Sequence, residues 1–134
     1  MKKLLCLLII SVLFFSCKKS KEEDPFVLQF QKVLEKYMIC DSIKTTVYTV
    51  SNIQKLGKGR GEDLMFHKDA TYTKYSSPGV NKIFQLESPD KIYYYTDELV
   101  TSDYFKVPSI SDSKLVLLRA DTVGKSTTFY FTAE

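Results

Sequence analysis

The most constraining feature of this 134-residue chain is a regular succession of short segments, rich in Thr, Tyr, Val, Phe and Ile, after Cys40. Such residues are typical of β-strands, whereas the Ser, Pro, Asp and Gly residues between the segments are typical of turns. The pattern predicts strands over Ile43–Ile53, Asp63–Phe66, Ala70–Tyr75, Lys82–Glu87, Lys91–Thr96, Asp103–Val107, Lys114–Arg119 and Thr127–Phe131. Short links favour antiparallel pairing, and about eight strands can close a small barrel. We therefore predict a mainly β fold, an antiparallel meander that forms a small barrel or half-barrel.

Several predicted strands are apolar or aromatic on both alternating faces, as in Ile92–Tyr95, Leu115–Leu118 and Phe129–Phe131. Both faces of such strands must be covered. A barrel interior with an outer helix or partner would do this, and so would the two layers of a sandwich; the periodicity of the residues does not distinguish the two architectures. Between the strands, Gly57–Gly61 predicts a flexible hairpin loop, because no Gly-Lys-Ser/Thr ending and no helical pattern follow it. Pro108–Asp112 predicts a wider connection.

One short amphipathic helix is expected before the strands. Its apolar residues are spaced to fall on one helical face, and they are Phe26, Phe30, Val33, Leu34 and Tyr37. Asp24 and Pro25 supply a cap and a first-turn proline. We expect this face to cover one end of the sheet, with a partner or lipid as the alternative.

The chain begins with the parts of a secretory signal: two lysines, an apolar run over Leu4–Phe15, and Ser16 before Cys17. The run is shorter than the about 20 apolar residues that span a bilayer. The stretch Phe-Phe-Ser-Cys that ends at Cys17 resembles a bacterial lipobox, in the looser form found in Bacteroidetes. The resemblance implies cleavage before Cys17 and its acylation with chains such as palmitate. An ordinary secreted protein is the alternative.

The residues after Cys17 are charged and contain no apolar group up to Asp24, so they are expected to form a solvated linker. Within them, Lys21-Glu22-Glu23 resembles the signal that sends some Bacteroidetes lipoproteins to the outer face of the outer membrane; a plain spacer is the alternative. The expected organisation is a signal peptide over 1–16, a lipidated tether over 17–24 and a barrel domain over 25–134. The expected location is the cell envelope, lipid-anchored in the outer membrane, on either face.

Charge and cysteine content exclude several classes of function. Without the two signal lysines, 17 basic residues face 16 acidic ones and are dispersed along the chain, which argues against nucleic-acid binding. With Cys6 removed and Cys17 acylated, Cys40 has no partner for an internal disulfide. Beside Met38 and Ile39, we predict that Cys40 is a small buried hydrophobe.

No catalytic or metal-binding pattern is visible in the sequence. His67 has no Cys, Asp or Glu at metal-ligand spacing, and no serine lies in a G-x-S-x-G setting. The carboxylates are scattered near turns, although a catalytic pair assembled from distant strands would leave no local pattern. We expect a protein that is not an enzyme and has no cofactor.

Two segments resemble a known family. The stretch Leu64–Thr73 is similar to the hairpin, roughly F-x-x-D-G-T-Y, of small lipocalin-like lipoproteins of Bacteroidetes, with Asp69, Thr71 and Tyr72 matching and Ala70 in place of Gly. The run from Tyr104 to Leu117 is similar to that family's strand, Ser/Thr-rich loop and closing L-V-L strand. The G-x-W signature of true lipocalins is absent, since the chain contains no Trp. The resemblance implies an eight-stranded barrel or half-barrel and, by analogy, ligand binding.

Two hypotheses for function follow. The first is a lipid-anchored protein that binds a small apolar ligand in or at the mouth of the barrel; the second is an anchored protein-interaction or inhibitor module with a filled core. An interior of roughly 300 Å³ or more favours the first. The candidate lining residues, one face per strand, are Tyr72, Phe84, Tyr94, Phe105, Leu117 and Phe129. A register error of one residue would turn each of them outward.

Overall fold

A computed structural model describes residues 24–76, 79, 81–95 and 102–134; the signal sequence, Cys17 and the linker up to Glu23 lie outside this part. The described chain forms one helix, α1 (Pro25–Gln31), followed by nine strands. The strands are β1 (Met38–Val47), β2 (Val50–Lys55), β3 (Leu64–Phe66), β4 (Thr71–Lys74), β5 (Asn81–Glu87), β6 (Lys91–Tyr95), β7 (Ser102–Ile110), β8 (Lys114–Thr122) and β9 (Lys125–Ala133). The mainly β prediction is confirmed.

Eight of these strands close into an antiparallel barrel. Strands β3 to β9 pair in chain order, and β1 joins the two ends by pairing with both β3 and β9. The contact with β9 is long, from Met38 opposite Ala133 to Val47 opposite Lys125, whereas the contact with β3 is the single pair Met38 and Leu64. Closure by β1 leaves these eight strands without a long open edge.

Strand β2 is an extra strand that pairs, among the described strands, with the upper half of β1. The prediction of one continuous strand over Ile43–Ile53 is therefore wrong, because the chain reverses at Tyr48 and Thr49. Tyr48 adopts a φ of 52°, a left-handed conformation that non-glycine residues seldom take. Its N–H donates to the carbonyl of Gly124 at 2.6 Å, which ties the β1–β2 turn to the β8–β9 turn.

The link between β2 and β3 is not the predicted hairpin loop. Both strands run antiparallel to β1 on the same side of it, β2 along its upper half and β3 at its start. The stretch that contains Gly57–Gly61 therefore joins two successive segments that point in the same direction. The predicted connection over Pro108–Asp112 is also shorter than expected, because β7 continues to Ile110.

Helix α1 closes the end of the barrel where β1 begins and β9 ends, which we call the lower end. Asp24 caps the helix by accepting a hydrogen bond from the N–H of Phe26 at 2.9 Å, and Pro25 is its first residue. The Phe30 side chain is fully buried, with its ring centre 5.0 Å from that of Phe66 and 5.7 Å from that of Phe84. The predicted role of the helix is confirmed, but it ends at Gln31, so the predicted stripe continues beyond it.

A buried carboxylate joins β1 to β3 near the lower end. Asp63 is 0% exposed and accepts hydrogen bonds from the Tyr37 hydroxyl (2.9 Å), the Cys40 N–H (2.8 Å) and the Gly59 N–H (2.7 Å). Cys40 itself is fully buried, and this burial, followed by nearby carboxylates, raises the pKa of its thiol to about 12. The prediction that Cys40 is a buried hydrophobe is confirmed.

Candidate ligand-binding site

The six predicted lining residues all lie on the inner face of the barrel wall. Four are buried and two, Tyr94 and Phe105, are half-buried. Cross-strand pairing explains their common direction, because Phe84 lies opposite Tyr94 and Leu117 opposite Phe129, and directly opposite residues share a face. Their role in binding a ligand stays a prediction.

Five of the six surround one interior pocket in the middle of the barrel, and they are Tyr72, Tyr94, Phe105, Leu117 and Phe129. Phe84 is the exception, because it packs against Phe30 of α1 at the lower end, with ring centres 5.7 Å apart. Leu64, Phe66, Ile92 and Phe131 complete the apolar part of the wall.

The pocket has a volume of about 90 Å³. This volume is well below the roughly 300 Å³ of the smallest pockets for drug-sized ligands. It is also below the roughly 150 Å³ of an engineered cavity that binds benzene. The interior is therefore neither solid nor large enough to enclose a whole lipid. Only a short apolar group would fit inside it.

Charged side chains enter the pocket from the upper part of the barrel. They are Glu62, Lys74, Lys82 and Arg119. Lys74 lies opposite Leu64 and Lys82 opposite Tyr72, so both lysines share the inner face with these buried residues. Arg119 likewise lies opposite Thr127, which is buried.

These basic residues are not among the predicted lining residues, although the sequence contains a signal for them. Each lies two positions from a predicted lining residue on the same strand: Lys74 after Tyr72, Lys82 before Phe84 and Arg119 after Leu117. Because alternate residues of a strand share a face, these charged residues point to the same side as the predicted lining residues.

The charged groups differ in how they are paired. The Lys74 ammonium lies 3.9 Å from the Glu62 carboxylate. Arg119 donates from Nε to Asp121 at 2.5 Å, and its guanidinium carbon lies 5.5 Å from the ring centre of Phe129. Lys82 forms no ion pair with a carboxylate in the part of the chain that the structure describes.

Asp121 accepts one hydrogen bond from Arg119 and a second from Thr127. Its second oxygen accepts from the Thr127 hydroxyl at 2.5 Å. Burial alone raises the pKa of Asp121, but the hydrogen bonds from Thr127 and Arg119 outweigh burial and lower it. The carboxylate is therefore charged at neutral pH and fixes the position of Arg119.

A polar groove of about 310 Å³ lies beside the pocket, and its walls are formed by Tyr94, Asp103, Tyr104, Arg119, Ala120 and Asp121. Tyr94 and Arg119 line both spaces, so the groove and the pocket meet at these two side chains. Burial, and next the charge of Asp103, raises the pKa of Tyr94. Its hydroxyl therefore keeps its proton at neutral pH.

The rest of the described chain offers less for a site. His67 forms a hydrogen bond through Nε2 with the Thr73 hydroxyl at 2.8 Å, and its Nδ1 lies 3.5 Å from the Glu35 carboxylate. In residues 24–76, 79, 81–95 and 102–134, no group of three His, Cys, Asp or Glu residues is arranged to hold a metal ion. None of the helices in these same residues is long and apolar enough to cross a membrane.

Fold and site together define a small antiparallel β-barrel that is closed by a helix at one end and has an apolar pocket with a charged mouth at the other. No protein-family model matches the chain, and no curated protein or solved structure matches it at a significant level. The resemblance to lipocalin-like lipoproteins stays a prediction.

Proposed function

We propose that the protein is a lipid-anchored component of the bacterial outer membrane whose barrel binds a small, partly apolar ligand at its mouth. The observation that carries the binding role is the joint space formed by pocket and groove, which meet at Tyr94 and Arg119. An apolar cavity with a few polar groups at its opening is the usual composition of a small-molecule site. The protein acts by binding and has no catalytic role.

The size of the pocket determines how the ligand lies. A space of about 90 Å³ accepts the apolar end of the molecule, while its polar end lies at the charged mouth above this space. Each buried CH₂ group stabilises such a complex by about 0.8 kcal/mol. A short apolar group therefore supports modest affinity, and polar contacts at the mouth supply the specificity.

Titration with hexan-1-ol, followed by two-dimensional NMR, tests the binding role. We expect chemical-shift changes at the residues that line the pocket. The variant Leu117→Phe fills the pocket and should abolish these changes, because Leu117 is 1% exposed and lies on the pocket wall. Ile83→Phe is the matched control, since Ile83 is 54% exposed on the outside. Shifts that are scattered, or unchanged in Leu117→Phe, would contradict the proposal.

The anchor is supported by the sequence, since Cys17 lies outside the described residues. An apolar run with two preceding lysines ends at Ser16-Cys17, and two or more acyl chains make membrane attachment stable. Expression of Cys17→Ala tests this part. The variant should no longer fractionate with membranes; processing at the same bond together with unchanged membrane fractionation would show that the protein is not a lipoprotein.

A protein-interaction module is the second candidate, and β2 favours it. All six residues of β2 are exposed, including Val50 at 71% and Ile53 at 60%. An open strand edge of this kind accepts an extended segment of a partner by β-strand addition. A photo-crosslinker at position 53, compared with one at exposed position 83, tests it in cells. A protein adduct specific to position 53 would support this function, and equal labelling would oppose it.

A further inference from the structure

We infer that the ligand carries a negatively charged head group, such as the carboxylate of a short organic acid, and that Lys82 receives it. This inference rests on the proposed binding role and specifies the chemistry of that site. Around the pocket, three basic side chains (Lys74, Lys82 and Arg119) face one acidic side chain, Glu62.

Among the three basic residues at the pocket, Lys82 is the one that forms no ion pair with a described carboxylate. It is half-buried on the inner face of β5, directly opposite buried Tyr72. The other two cations have carboxylate partners, Glu62 for Lys74 and Asp121 for Arg119. A partly buried charge is costly unless an opposite charge or hydrogen bonds compensate for it. An anionic ligand supplies this compensation.

The remaining charges determine which side of the mouth the anion occupies. The basic pair Lys74 and Lys82 lies on β4 and β5, while Asp103 and Asp121 line the groove on β7 and β8. The carboxylates of the groove repel an anion from their side. The ligand's head group is therefore oriented towards Lys82, with Lys74 next to it, and its apolar end points down into the pocket.

The pocket also limits the length of the ligand. Its volume is about 90 Å³, which is smaller than the cavity of roughly 150 Å³ that binds benzene in an engineered protein. A short alkyl or small branched chain fits this space, whereas a long acyl chain does not fit inside it. The ligand class is thus a short amphipathic acid.

Three probes with the same chain and different head groups test the charge preference: pentanoate, pentan-1-ol and pentylamine. Each is titrated into the soluble domain with its tether, residues 18–134, and the dissociation constant is taken from NMR shifts of the pocket residues. We expect pentanoate to bind roughly tenfold more tightly than pentan-1-ol, since hydrogen bonds to ionised groups are the stronger ones. Pentylamine should bind most weakly.

Substitutions at Lys82 assign the preference to this residue. Lys82→Met removes the charge and keeps an unbranched chain, so its affinity for pentanoate should fall to about that for pentan-1-ol. Lys82→Arg should keep the preference. Lys114→Met removes an exposed lysine at the lower end of β8 and should change neither value.

The outcomes separate the inference from the proposed function. Equal binding of all three probes in the pocket would overturn the anionic ligand and leave the binding role intact. Failure of all three to shift any pocket resonance would count against the binding role itself. A pentanoate preference that persists in Lys82→Met would overturn the assignment to Lys82. The comparison of head groups uses the wild-type protein, so it stands even if a variant does not fold.

Discussion

The two ends of the barrel are built from the same strands but are filled differently. At the lower end, the side chain of Phe30 enters from α1 and packs between Phe66 and Phe84. At the upper end, the inner face carries Lys82 and Arg119 around a space that no described side chain fills. The difference shows that alternation along a strand decides which side chains point inward, whereas a separate element decides whether the space between them is filled.

Strand β8 shows this gradation within one segment. Its inward residues are, from bottom to top, Leu115, Leu117 and Arg119. Leu115 is part of the closed core, Leu117 is on the pocket wall and Arg119 is at the mouth. The inner face thus changes from apolar to charged within five residues. Stability is expected to depend mainly on the lower end, and ligand contact on the upper end.

The largest expected effect comes from removing the side chain that fills the lower end. Phe30→Ala should lower the free energy of unfolding by about 3–5 kcal/mol, because it deletes a fully buried aromatic ring and leaves a cavity. Leu28→Ala on the same helix is the control, since Leu28 is 43% exposed; it should stay within about 0.5 kcal/mol. Urea denaturation measures both. A small effect of Phe30→Ala would mean that the helix does not stabilise the barrel, and the contrast between the ends would disappear.

Much of the barrel is predictable from the sequence because inward residues repeat every second position. The period predicts which residues share a face. The choice of the face with Tyr72, Leu117 and Phe129 as the inward one is a separate prediction, and their burial agrees with it. The turns at Ser88–Asp90 and at Val123–Gly124 also lie close to the expected places, since Ser, Pro, Asp and Gly favour turns for local reasons.

The remaining features depend on contacts between distant parts of the chain. The reversal at Tyr48 and Thr49 contains no usual turn residue, and it is tied to Gly124, far along the sequence. The burial of Asp63 likewise depends on distant donors, the Tyr37 hydroxyl and the Cys40 N–H. The local sequence around Asp63 resembles that of a solvated loop, so it does not predict this burial. The size of the pocket was not predictable either, because it depends on how closely the side chains of different strands pack.

A second prediction compares two leucines that are two positions apart on β8. Leu115→Phe should destabilise the protein by about 1–3 kcal/mol, because it forces a larger side chain into a filled core where Leu115 is 0% exposed. Leu117→Phe should cost less than about 1 kcal/mol, since the ring can extend into the pocket. Thermal and urea unfolding of the two variants provide the measurement. Equal costs at both positions would show that the pocket does not accept additional volume.

The smallest expected effect concerns the Tyr37 hydroxyl, which donates a hydrogen bond to the buried Asp63 carboxylate near the lower end. Tyr37→Phe removes the hydrogen bond to Asp63 and should lower the free energy of unfolding by about 1 kcal/mol at neutral pH. Burial, and then this hydrogen bond, raises the pKa of Tyr37 to about 12, above the about 10 of a free phenol.

The raised pKa gives this contribution a defined pH dependence. Because the fold favours the protonated phenol, the stabilisation is fully present below about pH 10 and is lost as the pH rises through about 12. The difference in unfolding free energy between wild type and Tyr37→Phe should therefore be constant up to about pH 10 and then shrink. Other groups that titrate in this range affect both proteins alike, so they cancel in the difference. A gap that stays constant up to pH 12 would mean that Asp63 does not hold the Tyr37 hydroxyl, and the lower end would then lack one of the contacts that distinguish it from the mouth.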